Sequence, residues 1–288
     1  MNAELMKPYT VEEITSAISH MASLKSLGPD GMPPIFFQKY WHIIKFDVIN
    51  CVLNILNDRV LDPSLNFTHI VLIPKIHKPE LITHFHPISL CNVIMRITTK
   101  CIANRLKPLL DKIITPTQSA FVSSRLITDN VLIAFEINYF IKNKTWGKTG
   151  HMALKPNISK AYDKVEWNFL RQVLFKLGFH DHFIQLVLLC ISSVSYSIIL
   201  SSKQFGHIIP ERGLRQGDPL SPYLFLLCTE ALSSLISRAE SHGSLQVYGK
   251  TSGQEINIEK SVIVFSKNTA DNLRTDISEG LGKTSREA

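Results

Sequence analysis

The stretch GLRQGDPLSP at residues 213–222 is the part of the sequence that says most about the fold. Its two glycines, Gly213 and Gly217, allow the backbone to pass close to a ligand. Arg215 and Gln216 place a charged fork and an amide between them, and the Ser-Pro pair at the end starts a helix, where anions are favoured. Two interpretations stay open: a loop that binds a phosphate or nucleotide, and an ordinary loop followed by a capped helix.

Acidic, basic and aromatic residues follow a predicted strand upstream of this loop. The strand covers residues 151–154 and runs into Pro156 and Asn157, after which the sequence reads SKAYDKVEW at residues 159–167. Carboxylates at strand ends often hold metal ions. Asp163 is equally a good N-cap for the helix predicted over residues 163–177. The segment therefore permits a metal role or a capping role.

The periodicity of the remaining chain predicts an α+β fold. Helices and strands follow one another in irregular order, which disfavours regular βαβ winding. The polar residues 268–288 predict a disordered tail. The predicted helices lie at residues 10–21, 34–57, 92–106, 129–142, 163–177, 186–190 and 221–239, and the predicted strands at 70–73, 151–154, 196–200, 207–209 and 256–265.

Composition and charge narrow the class of protein. The chain has 288 residues, 45% of them hydrophobic, and a formal net charge of +7, which favours a globular protein with a polyanionic partner such as nucleic acid. The five cysteines are scattered without CxxC spacing, as in a reduced intracellular protein. No stretch is long enough to span a membrane and no signal peptide is evident, so we expect a cytoplasmic or nuclear location without membrane association.

A series of motifs in a fixed order identifies a family resemblance. Together they resemble the reverse transcriptase domain of plant LINE-type non-LTR retrotransposons, over about residues 8–269. The motifs are GPDGMPPIFFQKYW (28–41), HIVLIPK (69–75), PISLCNVI (87–94), ANRLKPLL (103–110), PTQSAFV (116–122), RLITDNVL (125–132), SKAYDKVEW (159–167), LGF (177–179), GLRQGDPLSPYLFLLC (213–228) and SGQEINIEKS (252–261). The endonuclease and zinc-knuckle regions of full elements are not in the sequence, so the resemblance implies a fragment of such an element.

The resemblance implies an α+β fold of fingers and palm around a template-primer groove. Residues 1–145 correspond to a fingers-like region with N-terminal helices, and residues 146–267 to a partial palm. The implied partners are an RNA template and a DNA primer, and the implied cofactor is a pair of Mg²⁺ ions that activates the primer hydroxyl and holds the triphosphate. The oligomeric state is left open.

Matching the motifs residue by residue assigns a nucleotide-binding set and one general acid. The implied roles are a fingers lysine near the triphosphate, an aromatic ring that screens the sugar 2′ position, a loop beside the incoming nucleotide and template, and a proton donor to the leaving pyrophosphate. The matching residues are, in that order, Lys75, then Tyr162, then Arg215, Gln216 and Gly217, and finally Lys260.

Three departures from the family pattern predict an inactive, internally deleted copy. Asn157 stands where the family has a metal-binding aspartate, and His86 stands where the family has an arginine that grips the triphosphate. The hairpin that carries the family's paired aspartates is missing near residues 242–250, and no two aspartates are adjacent anywhere in the chain. The sequence therefore predicts no intact metal site.

Two other hypotheses compete with a merely inactive enzyme. The first is a non-enzymatic remnant that binds RNA or hybrid duplex through basic residues, whose alternative explanation is an ordinary solvated surface. The second is a misassembled reading frame in which a missed exon would restore the hairpin. The basic residues of the first hypothesis are Lys75, Lys78, Arg105, Lys107 and Arg125.

Overall fold

A four-stranded sheet and a set of packed helices position the candidate site. The computed structural model describes residues 1–116, 118–123, 125–242, 255–256 and 261–280. The described strands are β1 (Phe67–Pro74), β2 (Phe85–Cys91), β3 (Met152–Lys155), β4 (Ile158–Ser159), β5 (Ser195–Leu200), β6 (Lys203–Ile208), β7 (Glu255–Ile256) and β8 (Val262–Phe265).

The described helices follow the amphipathic segments of the sequence, with short π and 3-10 turns between some of them. A π turn at Asn54–Asp58 continues α4, and 3-10 turns lie at Pro63–Asn66, Ile82–His84 and Lys107–Leu109. The helices are α1 (Asn2–Leu5), α2 (Val11–Ser19), α3 (Pro34–Lys39), α4 (Trp41–Leu53), α5 (Val93–Leu106), α6 (Leu110–Ile113), α7 (Ile127–Asn143), α8 (Trp167–Lys176), α9 (Asp181–Ser192), α10 (Ser221–His242) and α11 (Asp271–Gly280).

The large sheet joins distant parts of the chain. Its order is β2-β1-β5-β6, with β1 antiparallel to β2 and parallel to β5, and β5 antiparallel to β6. The parallel contact of β1 with β5 brings together strands more than 100 residues apart. The sheet therefore takes two strands from residues 1–145 and two from residues 146–267, so it crosses the boundary predicted between a fingers-like and a palm-like region.

Strand β2 was not predicted, because Pro87 lies in its middle. Proline cannot donate to a ladder and is tolerated on an edge strand. In the structure β2 lies at the edge of the sheet, where only β1 pairs with it, with Pro87 opposite Leu72. Position in the sheet, which the sequence pattern does not give, resolves the conflict.

Two short ladders lie near the position in the sequence where the deletion of a hairpin was predicted. Strand β3 pairs antiparallel with β8, with Lys155 opposite Val262, and β4 pairs antiparallel with β7. The two ladders are separated at Pro156 and Asn157. Pro156 has no N–H to donate, and the N–H of Asn157 donates to Oγ of Ser261 at 2.9 Å rather than to a strand.

One apolar core is shared by the N-terminal helices and by α5, α8, α9 and α10. Four of the five cysteines are buried, none is in a disulfide, and burial raises the pKa of the Cys190 thiol to about 12. These are the reduced core cysteines that the sequence predicted. No helix of the described residues has the length and apolar content to cross a bilayer.

The chain end differs from the sequence prediction of a disordered tail over residues 268–288. Helix α11 occupies Asp271–Gly280. Arg274 on this helix donates from Nη2 to the carbonyl oxygens of Ser266 at 3.0 Å and Lys267 at 3.1 Å. This tie to the end of β8 is a tertiary contact, so polar composition alone did not predict it. Residues 281–288 lie outside the described residues.

Arg105 of α5 anchors the N-terminal segment to the core. It donates to both carboxylate oxygens of Glu13, at 2.6 and 2.7 Å, and to the carbonyl oxygen of Pro8 at 2.8 Å. Its guanidinium also lies 3.6 Å from the centre of the Tyr9 ring. Arg105 was predicted as a candidate for nucleic-acid contact, but the structure assigns its charge to internal contacts.

We expect Arg105→Ala to lower the free energy of unfolding by roughly 2–4 kcal/mol, because it removes a forked ion pair and leaves Glu13 partly buried without its cation. Urea unfolding followed by tryptophan fluorescence measures the change. Lys112→Ala, which removes an exposed cation on α6, serves as the control and should change stability by no more than about 0.5 kcal/mol. Equal losses in the two variants would contradict the anchoring role.

Candidate functional site

The loop between β6 and α10 is held by a buried ion pair. Nη2 of Arg215 donates to Oδ2 of Asp218 at 2.8 Å, and each of these side chains is only 4% exposed. Nη1 of Arg215 donates to Oδ1 of Asn66 and, at 3.4 Å, to Oγ1 of Thr68. Buried charges need such pairing and hydrogen bonding because water is excluded. The loop is therefore fixed to the start of β1.

This arrangement changes the role expected for Arg215. Its guanidinium points into the core, so Arg215 positions the loop and does not present its charge to a nucleotide. Asp218 completes the loop from the other side, since its Oδ1 accepts from the N–H of Leu220 at 2.9 Å, just before α10 begins. Both oxygens of one carboxylate thus shape the entry to the helix.

The loop is joined directly to the SKAYDKVEW segment. The N–H of Gly213 donates to the carbonyl oxygen of Val165 at 2.8 Å, and the N–H of Leu214 donates to the carbonyl oxygen of Tyr162 at 2.9 Å. In the other direction, Nε1 of Trp167 donates to the carbonyl oxygen of Gly213 at 2.8 Å. Gly213 has φ +97°, and a Cβ there would lie 3.0 Å from the carbonyl oxygen of Asp163. Glycine is required at this position both for its backbone conformation and for the close approach.

Tyr162, Gln216 and Gly217 are brought together on one surface. The ring of Tyr162 stacks on Phe225 of α10, with centroids 5.0 Å apart and planes 17° apart, and partial burial raises the pKa of its phenol. Gln216 donates from Nε2 to Oδ1 of Asp163 at 3.4 Å. Asp163 lies in the turn before α8, whose N-cap is Glu166, so the capping interpretation of Asp163 was wrong.

The β1–β2 hairpin carries the other predicted nucleotide-binding residues. A Cβ on Gly217 would lie 3.8 Å from the carbonyl oxygen of Ser89 in β2, so the loop lies against this strand. His86 precedes Ser89 by three residues in β2, so it lies about 10 Å from Ser89 along the strand at the usual rise per residue. Lys75 follows β1 on the same hairpin, and its Nζ donates to the carbonyl oxygen of Thr83 at 3.2 Å. Both side chains are exposed.

The predicted catalytic positions are not assembled into a metal site within the described residues. Asn157 is exposed at the break between β3 and β4. Lys260 lies outside the described residues, and so do residues 243–250, where the deletion of the paired-aspartate hairpin was predicted. Among the residues that the structure describes, no three His, Cys, Asp or Glu side chains cluster closely enough to hold a metal ion.

A family profile described as reverse transcriptase (RNA-dependent DNA polymerase) matches residues 76–248, more than half of the chain. The chain belongs to the reverse transcriptase family. Its α+β architecture is the one expected for that family, and the matched residues include His86, Asn157, Tyr162 and the loop around Arg215.

The curated relatives of this reverse transcriptase homologue include proteins of transposable elements. A 149 kDa protein of transposon TX1 of Xenopus laevis is 29% identical over 81% of the chain. The Pol polyprotein of the type-2 retrotransposable element R2DM of Drosophila melanogaster is 26% identical over 78% of the chain. An uncharacterized mitochondrial protein of Arabidopsis thaliana is 60% identical over 47 residues, which make up 16% of this chain and 38% of that protein. The chain spans only 18% of the length of the TX1 protein and 21% of the length of the R2DM polyprotein.

Two solved structures align with most of this chain at low sequence identity. A telomerase of Candida tropicalis in complex with a telomeric RNA fragment aligns with 81% of this chain and 46% of its own, at 11% identity and a TM-score of 0.46. A partial Cas6-RT-Cas1–Cas2 complex aligns with 84% of this chain and 36% of its own, at 17% identity and a TM-score of 0.43.

Sequence reasoning missed several residues that support the site of this reverse transcriptase homologue. Asp218 stands three residues after Arg215, and this i, i+3 spacing of opposite charges was the one available signal for the pair. Asn66, Thr68 and Phe225 gave no such signal, because Asn66 and Thr68 meet Arg215, and Phe225 meets Tyr162, only through the fold.

We expect Asp218→Asn to lower the free energy of unfolding by about 3–5 kcal/mol, because Arg215 is left buried with its charge uncompensated. Urea unfolding measures the loss. Replacing both partners with apolar residues, in Arg215→Met with Asp218→Leu, should recover much of it.

The exposed ion pair of Arg212 with Glu166, at 3.0 Å, is the matched control for the buried pair. Arg212→Met should lose no more than about 1 kcal/mol, since exposed pairs are screened by water. A loss for Asp218→Asn as small as that of Arg212→Met would contradict the central role of the buried pair.

Proposed function

We propose that this chain is a degenerate copy of the reverse transcriptase domain of a plant LINE-type non-LTR retrotransposon, and that it does not catalyse template-directed nucleotide addition. The observation that carries the proposal is Asn157. A neutral amide stands at the family's metal-binding aspartate, on an exposed break between two short ladders. The relatedness to the TX1 and R2DM products supports the origin in a non-LTR element.

The donor set does not fit a pair of Mg²⁺ ions. Two closely spaced divalent cations need several carboxylates to offset their mutual repulsion, and hard cations prefer charged oxygen ligands. Asn157 offers one neutral carbonyl oxygen, and the exposed Asp163 is engaged by Gln216 at 3.4 Å. No adjacent aspartates exist anywhere in the 288 residues to supply the rest.

The expected loss in catalytic rate is too large for measurable residual activity. Removing a single electrostatic element from an active site typically lowers the rate by about 10²–10³. This chain lacks the aspartate at Asn157 and the aspartate pair together. His86 adds a further loss, because an imidazole cannot reproduce the forked, two-donor grip of an arginine on a triphosphate.

We expect no primer extension by the purified chain on an RNA template, with either Mg²⁺ or Mn²⁺, because the carboxylates that would hold the metal ions are absent. Gel analysis of a labelled primer measures this, and a competent reverse transcriptase in the same buffer is the positive control. Asn157→Asp should also remain inactive, since it restores one of three carboxylates. Template-dependent, full-length extension by the unmodified chain would overturn the proposal.

A second candidate, residual RNA binding, rests on the tip of the β1–β2 hairpin. Lys75 and Lys78 are exposed there, and Lys107 is exposed at the end of α5. The other two basic residues of this hypothesis are used internally. Arg105 holds Glu13, and Arg125 donates to the carbonyl oxygens of Ile114, Thr115 and Gln118. The candidate surface is thus reduced to lysines, which contact phosphates as point charges.

We expect Lys75→Ala with Lys78→Ala to reduce the slope of log affinity for single-stranded RNA against log salt by about 1.4, because each phosphate contact on a single strand contributes about 0.7. Fluorescence anisotropy with a labelled oligonucleotide at several salt concentrations measures this. The matched control is Lys39→Ala with Lys176→Ala, which removes the same charge from exposed sites on α3 and α8. Identical slopes for the two double variants would contradict binding at the hairpin.

A further inference from the structure

The segment that joins α7 to β3 exposes a tryptophan between lysines. Trp146 lies in this segment and is 78% exposed, whereas tryptophan is highly buried on average. Lys142 at the end of α7 precedes it and Lys148 follows it, and both are exposed. We call residues 144–150 the Trp146 loop. The loop offers a large flat ring and positive charge to the solvent at the same place.

Contacts with the turn after β8 hold the Trp146 loop in one arrangement. Nδ2 of Asn268 lies within hydrogen-bonding distance of the carbonyl oxygens of Gly147, at 3.0 Å, and Thr149, at 2.9 Å. A Cβ on Gly150 would lie 2.6 Å from Oγ1 of Thr269, so the end of the loop packs closely against the same turn. Because the backbone is already fixed, a ligand of this loop would pay little for ordering it.

Lys144 orients the indole ring of Trp146. Its Nζ lies 5.4 Å from the centre of the Trp146 ring and 5.5 Å from the centre of the Phe140 ring. A cation within about 6 Å of an aromatic face is attracted to the ring. Lys144 therefore ties the indole to the end of α7, while most of the indole surface remains open to the solvent.

The sequence around the Trp146 loop carries only positive charge. Residues 137–162 contain five lysines and no Asp or Glu. Asp271, three positions after Asn268, is paired with Arg274 at 3.6 Å. A chain of phosphates that reaches the loop therefore meets cations and no carboxylate from this stretch.

This combination fits a single-stranded nucleic acid. Stacking on an aromatic side chain needs the face of an unpaired base, since the bases of a duplex are already stacked on one another. Lysines on both sides of the ring suit the phosphates on both sides of that base. A membrane surface would need several apolar side chains at its boundary, and Trp146 is the only large apolar residue between positions 142 and 150.

We propose that the Trp146 loop binds single-stranded nucleic acid, with one base stacked on Trp146 and the neighbouring phosphates contacted by Lys142 and Lys148. None of these residues belongs to the β1–β2 hairpin or to the loop around Arg215. The site therefore does not depend on whether the hairpin binds RNA or whether the chain catalyses nucleotide addition. A ring and two lysines recognise bases and phosphates, which RNA and DNA share.

Fluorescence anisotropy with labelled oligouridylate and oligothymidylate, each of about 12 nucleotides, tests the site on the full chain. We expect Trp146→Ala to weaken binding about 5- to 100-fold for at least one strand, because it removes the stacked base. The strand with the larger loss identifies the ligand. Trp146→Phe should restore most of the affinity, since a phenyl ring still stacks.

Phe46→Ala on α4 is the matched control. Phe46 is also exposed, and Nζ of Lys45 lies 5.0 Å from the centre of its ring, but Asp47 stands beside it in place of a second lysine. This variant should bind both strands like the unmodified chain. Equal losses in Phe46→Ala and Trp146→Ala would overturn the proposal.

A strand of the same length without bases separates stacking from charge. It should bind the unmodified chain and Trp146→Ala equally, and more weakly than the base-containing strands bind the unmodified chain. Lys142→Ala with Lys148→Ala should lower the slope of log affinity against log salt by about 1.4. These effects should persist when Lys75→Ala and Lys78→Ala are also present, which distinguishes the loop from the hairpin.

Two results on the unmodified chain would overturn the proposal even if a variant does not fold. The first is equal affinity for strands with and without bases. The second is binding to vesicles of phosphatidylcholine with roughly 30% phosphatidylserine, measured by co-sedimentation, without binding to either base-containing strand. Equal affinity of the unmodified chain and a folded Trp146→Ala for both strands would also overturn it.

Discussion

The buried ion pair of Arg215 with Asp218 is the interaction on which the site depends. It stands where three distant parts of the chain meet: the start of β1 through Asn66, the entry to α10, and β5, where burial raises the pKa of the neighbouring Tyr196 to about 12. Taking two charges out of water is favourable only when every polar atom finds a partner. The loop can therefore adopt one arrangement, and that arrangement places Gln216 and Gly217 at the surface.

The same constraint explains how a family fold can persist where residues of the family's metal site differ. The residues that hold the loop, the Tyr162–Phe225 stack and the core around α5 are intact, and all of them contribute to stability. The metal-binding positions contribute to catalysis and little to packing, since clustered carboxylates repel one another when no cation is present. Substitution at these positions therefore leaves the described core intact.

The sequence predicted much of the fold and part of the site. Periodicity located most of the longer helices and β1, and motif order indicated a reverse transcriptase domain, which the profile match confirmed. Strand β2 was missed because Pro87 is acceptable only at an edge, and helix α11 was missed because Arg274 ties it to β8. The sequence assigned Arg215 to nucleotide binding because a motif specifies the type of a residue but not the direction of its side chain. The direction of its side chain depends on Asn66, 149 positions away.

Chemistry that requires particular atoms was determined by the sequence alone. An amide at position 157, a histidine at position 86 and the absence of adjacent aspartates cannot be altered by any packing. Placement was decided only by the tertiary structure, because it depends on contacts between residues far apart in the chain. Among five basic residues of similar charge, folding buries or engages Arg105 and Arg125 and leaves Lys75, Lys78 and Lys107 in water. Burial decides which charges hold the protein together and which remain free to meet a partner.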